Sequence, residues 1–98
     1  MIRTVRIIIT GRVQGVGYRA WTEYEALKLR LGGYVRNRRD GTVEAVFAGP
    51  EATVVAMIEG CRHGPPGARV TDVGVSEATV EALSRRRPGE LFSVLPTV

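Results

Sequence analysis

Gly11-Arg12-Val13-Gln14-Gly15-Val16-Gly17-Tyr18-Arg19 joins two unlike stretches of chain. Before it, Arg3 to Thr10 alternates, with Val5, Ile7 and Ile9 on one face and Ile8 partly covered on the other, the two-residue period of a strand. After it, Trp21, Tyr24, Ala26, Leu27 and Leu29 recur at helical spacing. A helix is expected from about Tyr18 to Leu31. Its apolar face is drawn from Trp21, Ala26, Leu29 and Tyr24, with Glu23 and Glu25 facing away and Gly32-Gly33 ending it. Three glycines within seven positions suit neither a strand nor a helix interior, since each weakens regular structure by about 0.5–1 kcal/mol relative to alanine. The stretch is a strand-to-helix loop, and the chain opens β-α.

Working outward, Gly33 to Arg38 reads as a second strand and Asp40-Gly41 as a hairpin turn. Thr42 to Ala48 returns as a third strand, with Val43, Ala45 and Phe47 alternating against Glu44 and Val46. Gly49-Pro50-Glu51 ends it and opens a second helix, with proline near the first position and an acid in the first turn. That helix runs to about Arg62, its buried stripe formed by Val54, Met57 or Ile58, and Cys61. A Gly64-Pro65-Pro66-Gly67 loop precedes a fourth strand, Arg69 to Glu77, with Val70, Val73 and Val75 as its apolar members. Leu91 to Leu95 forms a short fifth strand after a linker without assigned structure. The order β-α-β-β-α-β plus a last strand gives an α+β fold: a ferredoxin-like sandwich, an antiparallel sheet with both helices on one face. Such a fold hosts many functions and does not supply the activity.

The 98 residues are expected to form one domain, 1–98, large enough for a core without covalent staples. One cysteine allows no internal disulfide and no cysteine-rich zinc site. The charged N-terminus is not a signal peptide, and no apolar run approaches a membrane span. A cytoplasmic, membrane-free protein, monomeric, is the expectation. The net charge is +4, and all but one of the 14 cations are arginine. A basic surface suits an anionic partner. The one dense cluster, Arg85-Arg86-Arg87, precedes Pro88-Gly89 and reads as solvated loop charge, so no nucleic-acid partner is expected.

The loop is where an anion would bind. A loop leaving a strand and opening a helix offers N–H groups at the positive end of the helix dipole. Arg19, in the first turn, adds a planar fork suited to phosphate or carboxylate. The same glycines also serve a simple tight turn, and the loop alone leaves both readings open. The glycine order is not that of the dinucleotide fingerprint, and no Lys-Ser or Lys-Thr follows as in nucleotide P-loops. Val13 stands where a cysteine-dependent phosphatase would carry its thiol, which excludes a thiol phosphoenzyme here. Asn37, at the end of the second strand, is the other oddity, because strands disfavour asparagine. It either caps the turn or projects toward the loop.

These two segments, Gly11 to Arg19 and Gly33-Tyr34-Val35-Arg36-Asn37-Arg38-Arg39-Asp40-Gly41-Thr42-Val43-Glu44, resemble the two signature segments of the acylphosphatases, spacing included. Gly49-Pro50-Glu51, Arg69-Val70 and Phe92-Ser93-Val94 fit the same pattern, so the resemblance covers nearly the whole chain. Tyr18 stands where the family most often has Phe, and Tyr34 where it usually has Trp. The segment Glu77 to Glu90 is less family-like. The resemblance implies hydrolysis of acyl phosphates to a carboxylate and inorganic phosphate, without metal or organic cofactor. It implies that Arg19 binds the phosphate and that Asn37 positions the attacking water. The amides of Gln14, Gly15, Val16, Gly17, Tyr18 and Arg19 are expected to ring the phosphate, with inorganic phosphate as product and inhibitor.

The remaining polar and aromatic residues are assigned blander roles. His63 reads as a surface histidine, Cys61 as buried and inert, and Tyr18 as packing beneath the loop. No carboxylate or histidine is evident beside the loop, so the substrate's own phosphate is the expected proton acceptor. Two rivals are distinct in kind. One is an RNA-binding sandwich, for which only Tyr34 and Phe47 could stack on bases. The other is a module of a carbamoyl-phosphate-using assembly, as in hydrogenase maturation factors.

Overall fold

The computed structural model describes residues 1–98. Its elements are β1 (Ile2–Arg12), α1 (Tyr18–Lys28), β2 (Gly32–Asn37), β3 (Val43–Pro50), α2 (Glu51–Cys61), β4 (Arg69–Glu77) and β5 (Phe92–Val94), with a 3-10 helix over Val80–Arg85. The sheet runs β4-β1-β3-β2-β5. The four longer strands pair antiparallel, as expected of the sandwich. β5 departs from that expectation: it lies parallel to β2, with Tyr34 opposite Ser93, so the sheet is mixed. The linker that the sequence left unassigned crosses over the sheet and enters β5 from the far end.

One face of the sheet carries both helices. Val5, Ile7 and Ile9 of β1, Val35 of β2, and Val43, Ala45 and Phe47 of β3 meet Tyr18 and Ala26 of α1 and Val54, Met57, Ile58 and Cys61 of α2. Period-two strands and 3.6-period helices thus turn their apolar sides to one core. Both Met57 and Ile58 are buried, so the α2 stripe needs no choice between them. The other face carries a smaller cluster, Tyr34, Val46 and Leu95, roofed by Ala82 and Leu83 of the 3-10 helix.

Three sequence expectations need correction. α1 stops at Lys28, well before Gly32. Arg30 takes the left-handed conformation at φ 58, Leu31 N–H donates to Ala26 O, and Arg30 N–H donates to Leu27 O. This is the paired-bond termination usually completed by glycine. Gly32 and Gly33 belong to β2 instead, where a Cβ on Gly33 would lie 1.7 Å from Val46 O of the neighbouring strand. Second, Tyr24 and Leu29 face solvent, at 65% and 36% exposure; the helix buries Tyr18, Thr22 and Ala26 in their place. Third, Val75 is 41% exposed, because it stands on the edge strand β4, of which only Val73 is buried in the core. Phe47 and Tyr34 are both fully buried, Phe47 stacked on Phe92 at 5.9 Å, which removes the two rings an RNA-binding sheet would need.

Glu44 is the one buried carboxylate, 3% exposed on the sheet face away from the helices. Arg6 Nε and Arg36 Nε each donate to it at 2.6 Å. Burial pushes its pKa up, but the bonds from Arg36 and Arg6 outweigh this and hold it below the ordinary 4.5. A depressed folded-state pKa contributes stability that is present above the unfolded value and lost as pH falls through the folded one. Acid titration from pH 6 downward should therefore destabilise the wild type below about pH 4.5 more steeply than Glu44→Gln. At neutral pH Glu44→Gln should cost about 1–3 kcal/mol in denaturant unfolding, the guanidiniums being partly solvated.

Candidate active site

The loop between β1 and α1 is shaped by glycines of two kinds. At Gly11 the β1–β4 register shifts, and a Cβ would lie 2.1 Å from Arg69 O, so this position answers to close approach. Gly15 and Gly17 have open space around them but stand at φ 76 and φ 80, so they answer to backbone angle. An alanine at Gly17 would meet no clash yet would pay roughly 1–2 kcal/mol for the left-handed conformation. Gly17→Ala should accordingly lower stability by about that much and raise the inhibition constant for inorganic phosphate. Gly17→Asn, which tolerates the angle better, should recover most of both in unfolding and inhibition measurements.

Gly17 is the N-cap of α1, without a side-chain cap, and no acid occupies the first turn. The first intrahelical bond is Trp21 N–H to Gly17 O at 3.0 Å. None of the backbone N–H groups from Gln14 to Ala20 donates to a protein acceptor. Such a run of free donors at a helix N-terminus has the geometry and the sign of charge that suit an anion. It borders a cavity of about 470 Å³, walled also by Arg19, Glu23, Asn37, Arg87 and Val94. The volume is in the range of small-molecule sites.

The site residues named from sequence largely meet here. Gln14, Gly15, Gly17, Tyr18, Arg19 and Asn37 all line the cavity. Val16 does not; its half-buried side chain packs on the core, leaving only its N–H for the cradle. The Arg19 guanidinium makes no ion pair or hydrogen bond with the protein. β1 and β2 are not neighbours, since β3 lies between them. The loop and Asn37 are joined by a side chain: Gln14 Nε2 donates to Arg38 O at 2.7 Å and to Thr42 O at 2.9 Å. These carbonyls frame the β2–β3 turn, where Asp40 Oδ1 accepts from Thr42 N–H and Oγ1–H, bonds that hold its pKa below the usual carboxylate value. Val98 braces the same strand end, its N–H donating to Asn37 O and Arg39 N–H donating to Val98 O.

Asn37 Oδ1 is the only buried side-chain polar atom without a hydrogen-bond partner. An unpaired buried acceptor costs about 1–3 kcal/mol and is a feature of sites where strain has a use. Its Nδ2 is likewise unbonded to protein and not buried, free to donate into the cavity. Tyr18 anchors the cradle from below: its hydroxyl donates to Cys61 O of α2 at 2.5 Å and its ring meets Trp21 edge-on at 5.4 Å. Burial pushes the phenol pKa well up and the Cys61 thiol to about 12, so both stay protonated near neutrality. His63 is exposed on the turn after α2 and does not line the cavity.

Two charged residues stand at the cavity in places the sequence does not indicate. Glu23, expected to face away, lies on the cavity wall one helical turn from Arg19. The Arg85 to Arg87 cluster lies at the surface as expected, with Arg85 and Arg87 exposed, but two of its side chains also fold back onto the chain. Arg86 Nε donates to Leu83 O and Nη1 to Leu91 O, while Arg87 Nη1 donates to Val94 O and its side chain reaches the cavity. A charge triplet beside Pro-Gly carries no periodic signal of such folding back; only the path of the preceding linker reveals it. No group of His, Cys, Asp and Glu is arranged to hold a metal ion. No helix is long and apolar enough to cross a membrane.

The acylphosphatase family model matches residues 5–86. The acylphosphatase of Rhodopseudomonas palustris strain BisB18 is 58% identical over 93 residues, 95% of this chain and 94% of that one. The crystal structure of acylphosphatase from Bacillus subtilis superposes with TM-score 0.81 at 41% identity, covering 97% of this chain and 99% of that one. Full-length HypF in its phosphate- and nucleotide-bound form also superposes, with TM-score 0.83 and 27% identity, but this chain covers only 12% of it. With the two signature segments converging on one cavity and likeness extending end to end, the chain belongs to the acylphosphatase family of enzymes.

Proposed function

We propose that this enzyme hydrolyses acyl phosphates with Arg19 and the loop amides holding the phosphoryl group and Asn37 orienting the attacking water. The observation that supports it most is the uninterrupted run of free N–H donors from Gln14 to Ala20, set beside a guanidinium with no internal partner. An acyl phosphate is a mixed anhydride with a good leaving group, so positioning and charge stabilisation carry most of the catalysis. Water forms the new O–P bond as the P–O bond to the acyl group breaks. The electron pair leaves on the carboxylate, and the water's proton passes to a phosphoryl oxygen of the substrate. Asn37 cannot take that proton at neutral pH, but its Nδ2 can hydrogen-bond the water and fix its direction.

The reading further takes the enzyme as a cytoplasmic monomer inhibited competitively by inorganic phosphate; the single buried thiol of Cys61 suits a reducing compartment. Glu23 is the carboxylate on the cavity wall, and it separates two versions of the mechanism. In a metal-free assay with acetyl phosphate, Glu23→Gln should retain turnover within about fivefold if the substrate accepts its own proton. Loss of about 10²-fold or more with phosphate inhibition intact would make Glu23 the base instead. Failure of the wild type to turn over acetyl phosphate under these conditions would overturn the function itself.

A further inference from the structure

Arg87 lies outside the segment matched by the family model, yet its side chain walls the cavity. It is held there by several bonds. Its N–H donates to Ser93 Oγ at 3.0 Å, and the fully buried Ser93 hydroxyl donates in turn to Glu90 Oε1 at 2.7 Å. Its Nη1 donates to Val94 O at 2.6 Å and stands 3.7 Å from Glu90 Oε1. The Nε and Nη2 donors have no protein acceptor, which leaves part of a pre-oriented fork unused. A cradle built from the loop amides and Arg19 already accounts for a phosphoryl group. The cavity is larger than one phosphoryl group fills, and its remaining wall is Val13, Ala20 and Val94, apolar, with Glu23 and Arg87 charged.

We infer that Arg87 is a specificity-determining residue that binds a second anionic group on the acyl half of the substrate, favouring acyl phosphates with a distal carboxylate or phosphate. The inference rests on the acyl-phosphate reading above and names the substrate class that the same site prefers. The short carbon linker of such a substrate would lie along Ala20 and Val94. Glu23 repels the distal anion from the α1 side, while the guanidinium across the cavity offers charge-assisted bonds.

The test compares acetyl phosphate, succinyl phosphate and the methyl ester of succinyl phosphate, which keeps the length and removes the distal charge. The wild type should show kcat/KM about tenfold higher for succinyl phosphate than for its ester, the effect of one charge-assisted hydrogen bond. Arg87→Gln removes both the charge and the Nη1 donor to Val94 O while leaving a polar side chain at the cavity rim. It should bring succinyl phosphate and its ester to equal kcat/KM while changing acetyl phosphate by no more than about twofold. Arg87→Lys should restore part of the preference. Equal losses on all three substrates, or a wild type that does not distinguish acid from ester, would overturn the role of Arg87. Both results differ from an absence of turnover on acetyl phosphate, which would strike the underlying function.

Discussion

Arg19→Ala is expected to lose at least about 10³-fold in kcat/KM for acetyl phosphate and to weaken inhibition by inorganic phosphate in parallel. The guanidinium is the one side-chain cation in the first turn of α1 and makes no hydrogen bond or ion pair with the protein. Two charge-assisted bonds at about 1.5–3 kcal/mol each account for a loss of this size. Because the side chain is exposed and unbonded, its removal should leave denaturant unfolding within about 0.5 kcal/mol of wild type. Arg19→Lys should recover little, since a single ammonium cannot present two parallel donors to a phosphoryl group. An inactive variant that is also markedly unstable would mean that the arginine holds the loop rather than the ligand. Normal turnover by either variant would remove Arg19 from the mechanism.

The second large effect belongs to Asn37→Ala. Its expected signature is a fall in kcat of about 10²–10³, the scale for losing one positioned donor, with the phosphate inhibition constant changed by less than about threefold. A stability measurement sharpens the test. Asn37 Oδ1 is buried without a protein partner, and alanine removes the cost of desolvating it. The variant should be as stable as wild type or more so, while nearly inactive. Gain of stability with loss of rate is the mark of a residue retained for chemistry. An Asn37→Ala protein both slower and less stable would assign the amide to bracing the strand end, where Val98 N–H already meets Asn37 O.

Much of this arrangement was legible in the chain because local chemistry and tertiary packing agree. The α2 stripe and the bounds of β4 follow from periodicity and from glycine and proline punctuation. The loop and Asn37 were legible as local anomalies, glycines and an amide where regular structure does not want them. What escaped was decided by distant parts of the fold. Arg30 taking a left-handed angle has no signature, since helix ends usually recruit glycine for it. Tyr24 and Leu29 look like core by spacing, but α1 ends early and turns Thr22 inward. The parallel direction of β5 depends on where the 3-10 helix leaves the chain, over the Tyr34 and Val46 side of the sheet. Arg87 reaches the cavity only through that detour.

The placement of β4 against β1, with Val5 opposite Glu77, bears on how the enzyme returns from denaturant. Helices can re-form early from neighbouring residues, but the pairing of chain segments so far apart must first pay the entropy of a long closed loop. The cavity takes its walls from the β1–α1 loop and α1, the end of β2, Arg87 and Val94 of β5, so it is complete only once β5, the last strand in the chain, has docked. Recovered turnover after dilution should trail recovered helical signal, making catalysis a clock for the last step of refolding.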